Sequence, residues 1–161
     1  MSGLRIGIGS DVHAFAEGRD LIVGGLKIPH PRGLAGHSDA DVLIHAVVDA
    51  LLGAASMGDI GQHFPSSDPQ WKGKPSTEFL IWTREALKDR KYKIISIDSV
   101  IMAQEPVMRP HIPAMESKLR DILGLEPGIL HVKATTTDHL GFIGRKEGIA
   151  AQAVALLERQ S

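Results

Sequence analysis

The chain contains no cysteine among its 161 residues. This absence excludes disulfides, thiolate metal sites and cysteine nucleophiles, so histidine and carboxylate side chains are the only strong metal ligands that it offers. No apolar stretch reaches the ~18 residues that a membrane-spanning helix needs, and the N-terminus lacks the basic and apolar regions of a signal peptide. We therefore expect a cytoplasmic protein with no membrane partner.

The chain also has no large excess of positive or negative residues. Lysine and arginine total 18 against 19 for aspartate and glutamate, and the net charge is -1. A surface that binds nucleic acid through bulk positive charge is not expected, so any anionic ligand must be met locally. Hydrophobic residues make up 43% of the chain, which is enough for a core. The length falls in the range of about 100–200 residues for one domain, and we predict a single domain over residues 1–161.

The segment 38–52 predicts a mostly buried helix that carries a polar stripe. Ser38, Asp41, His45 and Asp49 recur in steps of three and four among aliphatic residues, which places them on one helical face. We predict Ser38 as the N-cap, with Asp41 at the third helical position. Asp49 lies one turn beyond His45 and is predicted to accept its second ring N–H. Because buried charge needs a partner, the stripe predicts a polar cavity or a metal.

Asp11 and His13 provide the second part of this site. They follow a predicted strand over residues 4–9, and side chains two positions apart on an extended chain point to the same side. With His45 they predict three protein ligands and one open position, which is the arrangement of a catalytic zinc site. In the alternative interpretation, Asp11 caps a turn and both histidines are merely hydrogen-bonded.

The remaining elements predict a two-layer α/β sandwich. A glycine pair in residues 21–28 indicates a hairpin, and Ser76 is predicted to cap a helix that reaches about Arg90. Strands are predicted over 94–103 and 129–135, and a helix over 112–123 that ends at Gly124. Segment 148–159 is ambiguous, because its alanines favour a helix and its glycine-rich start favours a strand; we favour the strand. Strands that alternate with helices and end in adjacent strands suit this sandwich.

Two segments carry groups that suit a phosphate. Residues 133–138 follow a predicted strand and offer hydroxyls, backbone amides, an ammonium and a carboxylate, although consecutive threonines are also ordinary strand residues. His37 and Ser38 stand at the start of the predicted polar helix, where free backbone amides attract anions. An ordinary cap beside a loop histidine is the alternative for this pair.

Several motifs then occur in one order along the chain. They are Ser-Asp-Val-His at 10–13, Gly-His-Ser-Asp-Ala-Asp-Val at 36–42 with His45, Gly-Asp-Ile-Gly at 58–61, Phe-Pro at 64–65 and Lys-Ala-Thr-Thr-Thr at 133–137. In this combination the chain, from about Arg5 to Leu157, resembles the 2-C-methyl-D-erythritol 2,4-cyclodiphosphate synthase family.

The resemblance implies an activity in the non-mevalonate route to isoprenoid precursors. The family converts 4-diphosphocytidyl-2-C-methyl-D-erythritol 2-phosphate into the cyclic diphosphate and releases CMP. The 2-phosphate of the substrate attacks its own β-phosphorus, so the protein would supply no covalent residue. Alignment and charge neutralisation would account for the catalysis.

The resemblance also implies roles for particular residues. Asp11, His13 and His45 would hold zinc, and His37 and Thr136 would stabilise the transition state. Asp138 would help to bind a second divalent ion, magnesium or manganese. Apart from His45, these residues would also contact the substrate. The other matched substrate positions are Ser38, Asp59, Ile60, Gly61, Phe64, Pro65, Asp68, Ala103, Gln104, Pro106, Met108, Arg109, Thr135, Thr137, Phe142 and Arg145.

The assembly that the resemblance implies is a homotrimer with active sites shared between neighbouring subunits. Its fold would be α+β, with a mixed sheet and ferredoxin-like βαβ units. The subunits would surround a central apolar cavity, which in this family can hold a diphosphate or an isoprenoid-like ligand. Arg145 and Glu147 match residues at the mouth of that cavity.

Five positions depart from the family pattern. An acidic residue usually follows Phe-Pro, a glutamate usually stands after the threonines, and a glycine usually follows the arginine. The base-binding stretch is usually Ala-Gln-Ala-Pro followed by a basic residue. The residues found at these places are Ser66, Asp138, Lys146, Glu105 and Val107. None of them is a predicted zinc ligand, although a shorter carboxylate at 138 changes the predicted second metal site.

Two other functions stay open from the residues alone. A zinc hydrolase would use the same three ligands, with a metal-bound water that attacks a phosphoester. A non-catalytic sensor of metal or diphosphate would use the trimeric scaffold and its central cavity. The origin of the attacking oxygen distinguishes the hydrolase from a cyclising enzyme, and the absence of turnover would identify the sensor.

Overall fold

The computed structural model of the protein describes residues 3–161, and its centre is a five-stranded sheet. The strands are β1 (Leu4–Ala16), β2 (Leu21–Val23), β3 (Leu26–Ile28), β4 (Gly33–Leu34), β5 (Tyr92–Met102), β6 (Leu130–Thr135) and β7 (Gly148–Arg159). The helices are α1 (Val42–Ala54), α2 (Ile60–His63), α3 (Ser76–Asp89), α4 (Ile112–Leu123) and α5 (Gly141–Gly144), with short 3₁₀ turns at Pro69–Trp71 and Arg109–His111.

The sheet has the strand order β4-β1-β7-β5-β6 and is mixed. Both β1 and β5 run antiparallel to β7, which lies between them, and β5 runs parallel to β6. Strands β1 and β5 are therefore parallel to each other with one strand inserted, which is the split βαβ arrangement of ferredoxin-like folds. The predicted α+β class with a mixed sheet is confirmed.

Helices α1, α3 and α4 cover one face of the sheet and bury the core. The aliphatic side chains of α1 are almost all buried, as the sequence predicted for this helix. The opposite face of the sheet is exposed to solvent. Alternate residues of β1 point toward this face, away from the helices. Ile6, Ile8 and Val12 on this open face are 73%, 68% and 53% exposed.

Glycines on the covered face of β1 set the distance between α1 and the sheet. A Cβ added at Gly9 would lie 2.0 Å from the carbonyl oxygen of Ala46, and one at Gly7 would lie 2.1 Å from that of Ala50. No side chain fits at these distances. The backbones of β1 and α1 therefore pack directly against each other, and this close packing places His45 near β1.

The N-terminus of α1 differs from the prediction. Asp41, not Ser38, is the N-cap, and its buried carboxylate accepts from the backbone N–H of Ile44 at 3.1 Å. The same carboxylate accepts from Gly24 and Gly25 at 2.9 and 2.6 Å. Burial raises the pKa of Asp41 to about 6 in spite of these three donors. The prediction of Ser38 as cap was wrong because a hairpin distant in sequence selects the aspartate.

Most other elements lie where the sequence predicted them. The β2–β3 hairpin turns at the glycine pair, α4 ends at a left-handed Gly124, and the ambiguous last segment is a strand. Strand β1 is longer than predicted, since it continues past Gly9 to Ala16 by pairing along most of its length with β7. Among residues 3–161, no helix is long and apolar enough to cross a membrane.

Candidate metal centre and adjoining cavities

Asp11, His13 and His45 converge at one point between β1 and α1. Asp11 Oδ2 lies 2.8 Å from His13 Nε2 and 2.9 Å from His45 Nδ1, and the two ring nitrogens are 3.2 Å apart. The other nitrogen of His13 donates to the carbonyl oxygen of Ala35 at 2.7 Å. That bond leaves Nε2 of His13 as the atom available to a metal.

These three atoms fit a divalent cation. A tetrahedral zinc ion with bonds of about 2.0–2.1 Å has ligand-to-ligand edges of about 3.3 Å, so the three atoms need to separate by only a few tenths of an ångström. Two imidazole nitrogens and one carboxylate oxygen also form a usual donor set for a catalytic ion with one open position. The convergence predicted from the sequence is present.

Electrostatics keep the carboxylate of this cluster ionised. Burial alone would raise the pKa of Asp11, but hydrogen bonds from His13 and His45 lower it to about 2. Burial likewise disfavours the charged form of His13, and the hydrogen bond to Asp11 outweighs it and raises the pKa of His13. The cluster therefore has an anionic oxygen at neutral pH, the form that binds a cation.

The partner predicted for the second nitrogen of His45 is not the one observed. His45 Nε2 faces the hydroxyl of Ser76 at 2.9 Å and that of Ser38 at 3.2 Å. The carboxylate of Asp49 instead accepts from the backbone N–H of Ile60 at 2.8 Å, which joins α1 to α2. The prediction that Asp49 orients His45 was wrong, because a side chain from α3 reaches the imidazole first.

A cavity of about 210 Å³ opens beside the metal ligands. Five more residues predicted at the site line it with His13 and His45, namely His37, Ser38, Ile60, Gly61 and Phe64. Ser66, at a position that departs from the family, lines it as well. His37 Nε2 lies 3.3 Å from the carbonyl oxygen of Asp68, so the loop after Pro65 also borders this region. Asp59 caps α2 by accepting from Gln62.

A second cavity, of about 310 Å³, lies at the ends of β5 and β6. Seven of the residues predicted to form the base and diphosphate pocket line it, namely Ala103, Gln104, Pro106, Met108, Arg109, Thr135 and Thr136, whereas Thr137 and Asp138 do not. Val107 and Ala134 complete the lining. Thr136 and Asp138 are hydrogen-bonded side chain to side chain at 3.4 Å, and Thr137 donates to the carbonyl oxygen of Leu140.

One chain does not bring its two predicted catalytic residues together. His37 borders the metal cavity and Thr136 the second cavity. Strands β1 and β6, which carry the two cavities, are three strand spacings apart in the sheet, or about 14 Å. Of the described residues predicted to bind substrate, eight line neither cavity, namely Asp11, Asp59, Pro65, Asp68, Thr137, Asp138, Phe142 and Arg145. Arg145 instead pairs with Glu147 at 2.8 Å.

Two of the departures from the family pattern contact each other. Glu105 lies within the base-binding stretch and Lys146 in the loop after α5, and their charged groups are 3.0 Å apart. Arg32 adds positive charge at 3.7 Å from the same carboxylate, and His30 Nε2 lies 3.4 Å from it. The hydrogen bond from Lys146, against a weak opposing effect of burial, lowers the pKa of Glu105. The two changes therefore compensate in charge and fasten the second cavity to a neighbouring loop.

The sequence did not indicate four residues near the metal ligands. Ser76 and Asp39 form a hydrogen-bonded pair beside His45, and Trp71 and Phe79 line the cavity. Ser76 was predicted only as the cap of its helix, and that prediction was wrong, because Pro75 is the N-cap and Ser76 is the first residue of α3. Phe64 stacks on Phe79 with centroids 4.4 Å apart. The four residues lie in the loop before α1, in the 3₁₀ turn at Pro69–Trp71 and in α3, so no local sequence pattern connects them with the metal ligands.

The fold and the site together define a class of divalent-metal enzymes built on an α+β sandwich. Residues 4–158 match the YgbB family. The 2-C-methyl-D-erythritol 2,4-cyclodiphosphate synthase of Synechococcus elongatus is 54% identical over 159 residues, which are 99% of each chain. The chain belongs to the YgbB family, the family of 2-C-methyl-D-erythritol 2,4-cyclodiphosphate synthases.

Solved structures agree with this assignment. IspF from Plasmodium falciparum, solved as a CDP complex, has a TM-score of 0.87 at 31% identity, and the match covers 100% of this chain and 99% of that one. The bifunctional IspDF of Campylobacter jejuni has a TM-score of 0.95 at 40% identity. The match covers 100% of this chain but spans only 44% of that longer protein.

Proposed function

We propose that this chain converts 4-diphosphocytidyl-2-C-methyl-D-erythritol 2-phosphate into 2-C-methyl-D-erythritol 2,4-cyclodiphosphate and CMP, in the non-mevalonate route to isoprenoid precursors. The observation that carries the proposal is the convergence of Asp11, His13 and His45 on one point. The metal-ligating atoms border a cavity with a histidine and a serine on its wall. Membership of the family supplies the chemistry for which this arrangement is suited.

The reaction needs alignment and charge neutralisation. A divalent ion held by the three ligands would polarise phosphoryl oxygens. His37 and Ser38 border the same cavity, so their N–H and O–H groups can donate to a phosphate there. An oxygen of the 2-phosphate forms a bond to the β-phosphorus as the bond from that phosphorus to the CMP oxygen breaks. No protein nucleophile is required, and placing the two groups in line accounts for much of the rate.

The second cavity is proposed to hold the cytidine end of the substrate. Residues of the 103–109 stretch form its wall together with Thr135 and Thr136, and this mixture of apolar and polar residues suits a base next to a diphosphate. The solved CDP complex of the Plasmodium falciparum relative supports a nucleotide ligand. Asp138 is exposed next to Thr136, and we assign it to the second ion, magnesium or manganese.

We further propose that the active protein is a homotrimer with sites shared between subunits. The strands that carry the two cavities, β1 and β6, are about 14 Å apart in the sheet, and we infer that a neighbour's second cavity completes the metal site. The open face of the sheet presents Ile6, Ile8, Val12 and Val154 to solvent, and exposed apolar patches of this kind mark interfaces. A central cavity that holds a diphosphate or isoprenoid-like ligand belongs to the same proposal.

Native mass spectrometry tests the assembly. We expect three times the 17.4 kDa mass of one chain, with any ligand of the central cavity retained as an added mass. Ile8→Glu should shift the protein toward monomers, because it places a charge on the apolar open face. Ile81→Glu, on the outer side of α3 at 42% exposure, is the matched control and should stay trimeric. A monomeric wild-type protein at micromolar concentration would refute the trimer.

Turnover in ¹⁸O-labelled water tests the proposed reaction. Because the attacking oxygen comes from the substrate, both CMP and the cyclic diphosphate should form without label. A zinc hydrolase would instead give a linear product that carries one labelled oxygen. Metal loading without any turnover would indicate the sensor. The cytoplasmic location predicted from the sequence and the single domain over residues 1–161 stay predictions.

A further inference from the structure

The side of His45 that faces away from the metal position is held by buried side chains. Its Nδ1 faces Asp11 and His13, so its ring hydrogen belongs on Nε2 when Nδ1 binds an ion. Nε2 lies 2.9 Å from Ser76 Oγ. Ser76 is 0% exposed, so water does not compete for this hydroxyl. With an ion at Nδ1, the imidazole would therefore donate to a hydroxyl that the core encloses.

Asp39 fixes the direction of that hydroxyl. Ser76 Oγ–H donates to Asp39 Oδ1, and the backbone N–H of Ser76 donates to Asp39 Oδ2 at 3.0 Å. A serine has one hydroxyl hydrogen. When this hydrogen is donated to the carboxylate of Asp39, the lone pairs of Ser76 Oγ face His45. The three groups form a directed chain from imidazole N–H to hydroxyl and from hydroxyl to carboxylate.

Ser38 offers the imidazole a second and weaker acceptor. Its Oγ lies 3.2 Å from His45 Nε2 and accepts from the backbone N–H of Ala40 at 3.2 Å. It lines the cavity, whereas Ser76 does not. The geometry therefore separates the two serines, with Ser38 available to a ligand and Ser76 committed to the imidazole.

The hydrogen bonds also connect the metal ligand to the loop that closes its cavity. Ser76 begins α3, directly after the segment 66–75 that borders the site. Asp39 N–H donates to the carbonyl oxygen of Lys74 at 3.1 Å, and Gly73 N–H donates to that of His37 at 2.8 Å. The loop at residues 37–39 and the loop at residues 73–75 are therefore hydrogen-bonded to each other beside His45.

We propose that Ser76, oriented by Asp39, is the positioning residue of the metal centre. Together they hold the ring direction of His45, so that Nδ1 faces Asp11 and His13, and they favour the Nε2–H tautomer that the imidazole needs when Nδ1 binds an ion. Loss of a hydrogen-bond partner of this kind weakens metal binding by about 10–100-fold in metalloenzymes. The inference rests on the proposed metal site and adds to it two residues, Ser76 and Asp39, that orient one of its ligands.

The test compares metal affinity among purified variants without substrate. Ser76→Ala should raise the dissociation constant for Zn²⁺ by about 10–100-fold, measured by competition with a chromophoric chelator. Ser76→Thr keeps the hydroxyl and should restore most of the affinity. Thr83→Ala is the matched control, since Thr83 is equally buried in α3 but donates to the carbonyl oxygen of Phe79. It should lower stability and leave the metal affinity unchanged.

A spectroscopic measurement distinguishes positioning from a general loss of structure. In the zinc-loaded protein, ¹⁵N-labelled His45 should show a protonated Nε2 that exchanges slowly with water, and this exchange should accelerate in Ser76→Ala. If that variant cannot be purified folded, Asp39→Asn tests the same chain from its outer end and should shift both readouts in the same direction.

The possible results separate this inference from the proposed reaction. Wild-type zinc affinity and slow exchange in Ser76→Ala would overturn the inference while leaving the cyclase proposal intact. Weakened zinc binding in Ser76→Ala, with no cyclic product from the wild type, would support the inference and refute the reaction. A wild-type chain that binds no divalent ion at these ligands would overturn both.

Discussion

His45→Ala is expected to lose its bound metal and to lower turnover by about a thousandfold. His45 Nδ1 is one of three atoms within 2.8–3.2 Å of one another, and two remaining ligands hold a zinc ion poorly. A metal that polarises a phosphoryl oxygen is worth several kcal/mol of transition-state stabilisation. About 4 kcal/mol corresponds to a factor of a thousand in rate. Metal content per chain and kcat are the two measurements.

The control for this substitution is another histidine. His131 lies on β6, exposed and 3.9 Å from Glu116, and His131→Ala should keep the metal. Metal analysis of the wild type also identifies the ion, which we expect to be zinc. Circular dichroism should show that the His45→Ala variant is folded, because the imidazole is replaced without removing any core aliphatic residue. Full activity in protein with no bound metal would contradict the assignment.

The metal ligands were predictable because their geometry is local. Asp11 and His13 share a side of one strand whatever the strand pairs with, and His45 stands on a helix whose burial is visible in its aliphatic residues. The hairpin at the glycine pair and the helix that ends at Gly124 are local in the same way. Such features depend on backbone periodicity and turn chemistry, both of which a sequence records directly.

The orientation of these ligands was not predictable from the same pattern. Asp49 lies four residues after His45, and on an isolated helix the two side chains are neighbours. In the folded chain Ser76, 31 positions away from His45 in sequence, takes that place. Asp41 likewise becomes the cap through Gly24 and Gly25. Each time, a contact distant in sequence decided between two locally acceptable partners.

The end of β1 shows the same dependence on distant partners. Local propensity ended the strand at Gly9, because glycines at alternate positions weaken a strand. In the structure these positions are filled by the backbone of α1, and the strand continues to Ala16 against β7. The glycines that ended the predicted strand are therefore the residues that allow helix and strand to meet.

Gly9→Ala is expected to destabilise the fold strongly although it adds only one methyl group. The new Cβ would lie 2.0 Å from Ala46 O, 2.7 Å from Ala50 N and 2.9 Å from Asp49 Cβ. The first two atoms are helix backbone and cannot rotate away, so α1 must shift as a unit. Overpacking of a core costs 1–3 kcal/mol and more in rigid surroundings. We expect about 3 kcal/mol less unfolding free energy by urea denaturation.

Gly53→Ala is the matched control within the same interface. Its Cβ would have Ile8 O as its nearest neighbour at 3.9 Å, which is ordinary contact. Gly53 lies in α1, and alanine is favoured over glycine in a helix by about 1 kcal/mol. This variant should therefore be as stable as the wild type or more so. Equal stability of Gly9→Ala and wild type would contradict the close approach of helix and strand.

Metal affinity then separates the effect of Gly9 on packing from its effect on the site. Gly7→Ala meets the same helix, at Ala50 O and Ala54 N, 2.1 and 2.4 Å away, but one turn further from His45. Both variants should be destabilised, whereas the zinc dissociation constant should rise more in Gly9→Ala. The reason is that Gly9 faces the turn that follows His45, so a shifted backbone there moves Nδ1 away from Asp11. Equal losses of zinc affinity in the two variants would mean that α1 moves rigidly, and the distance from helix to sheet alone would then control the metal site.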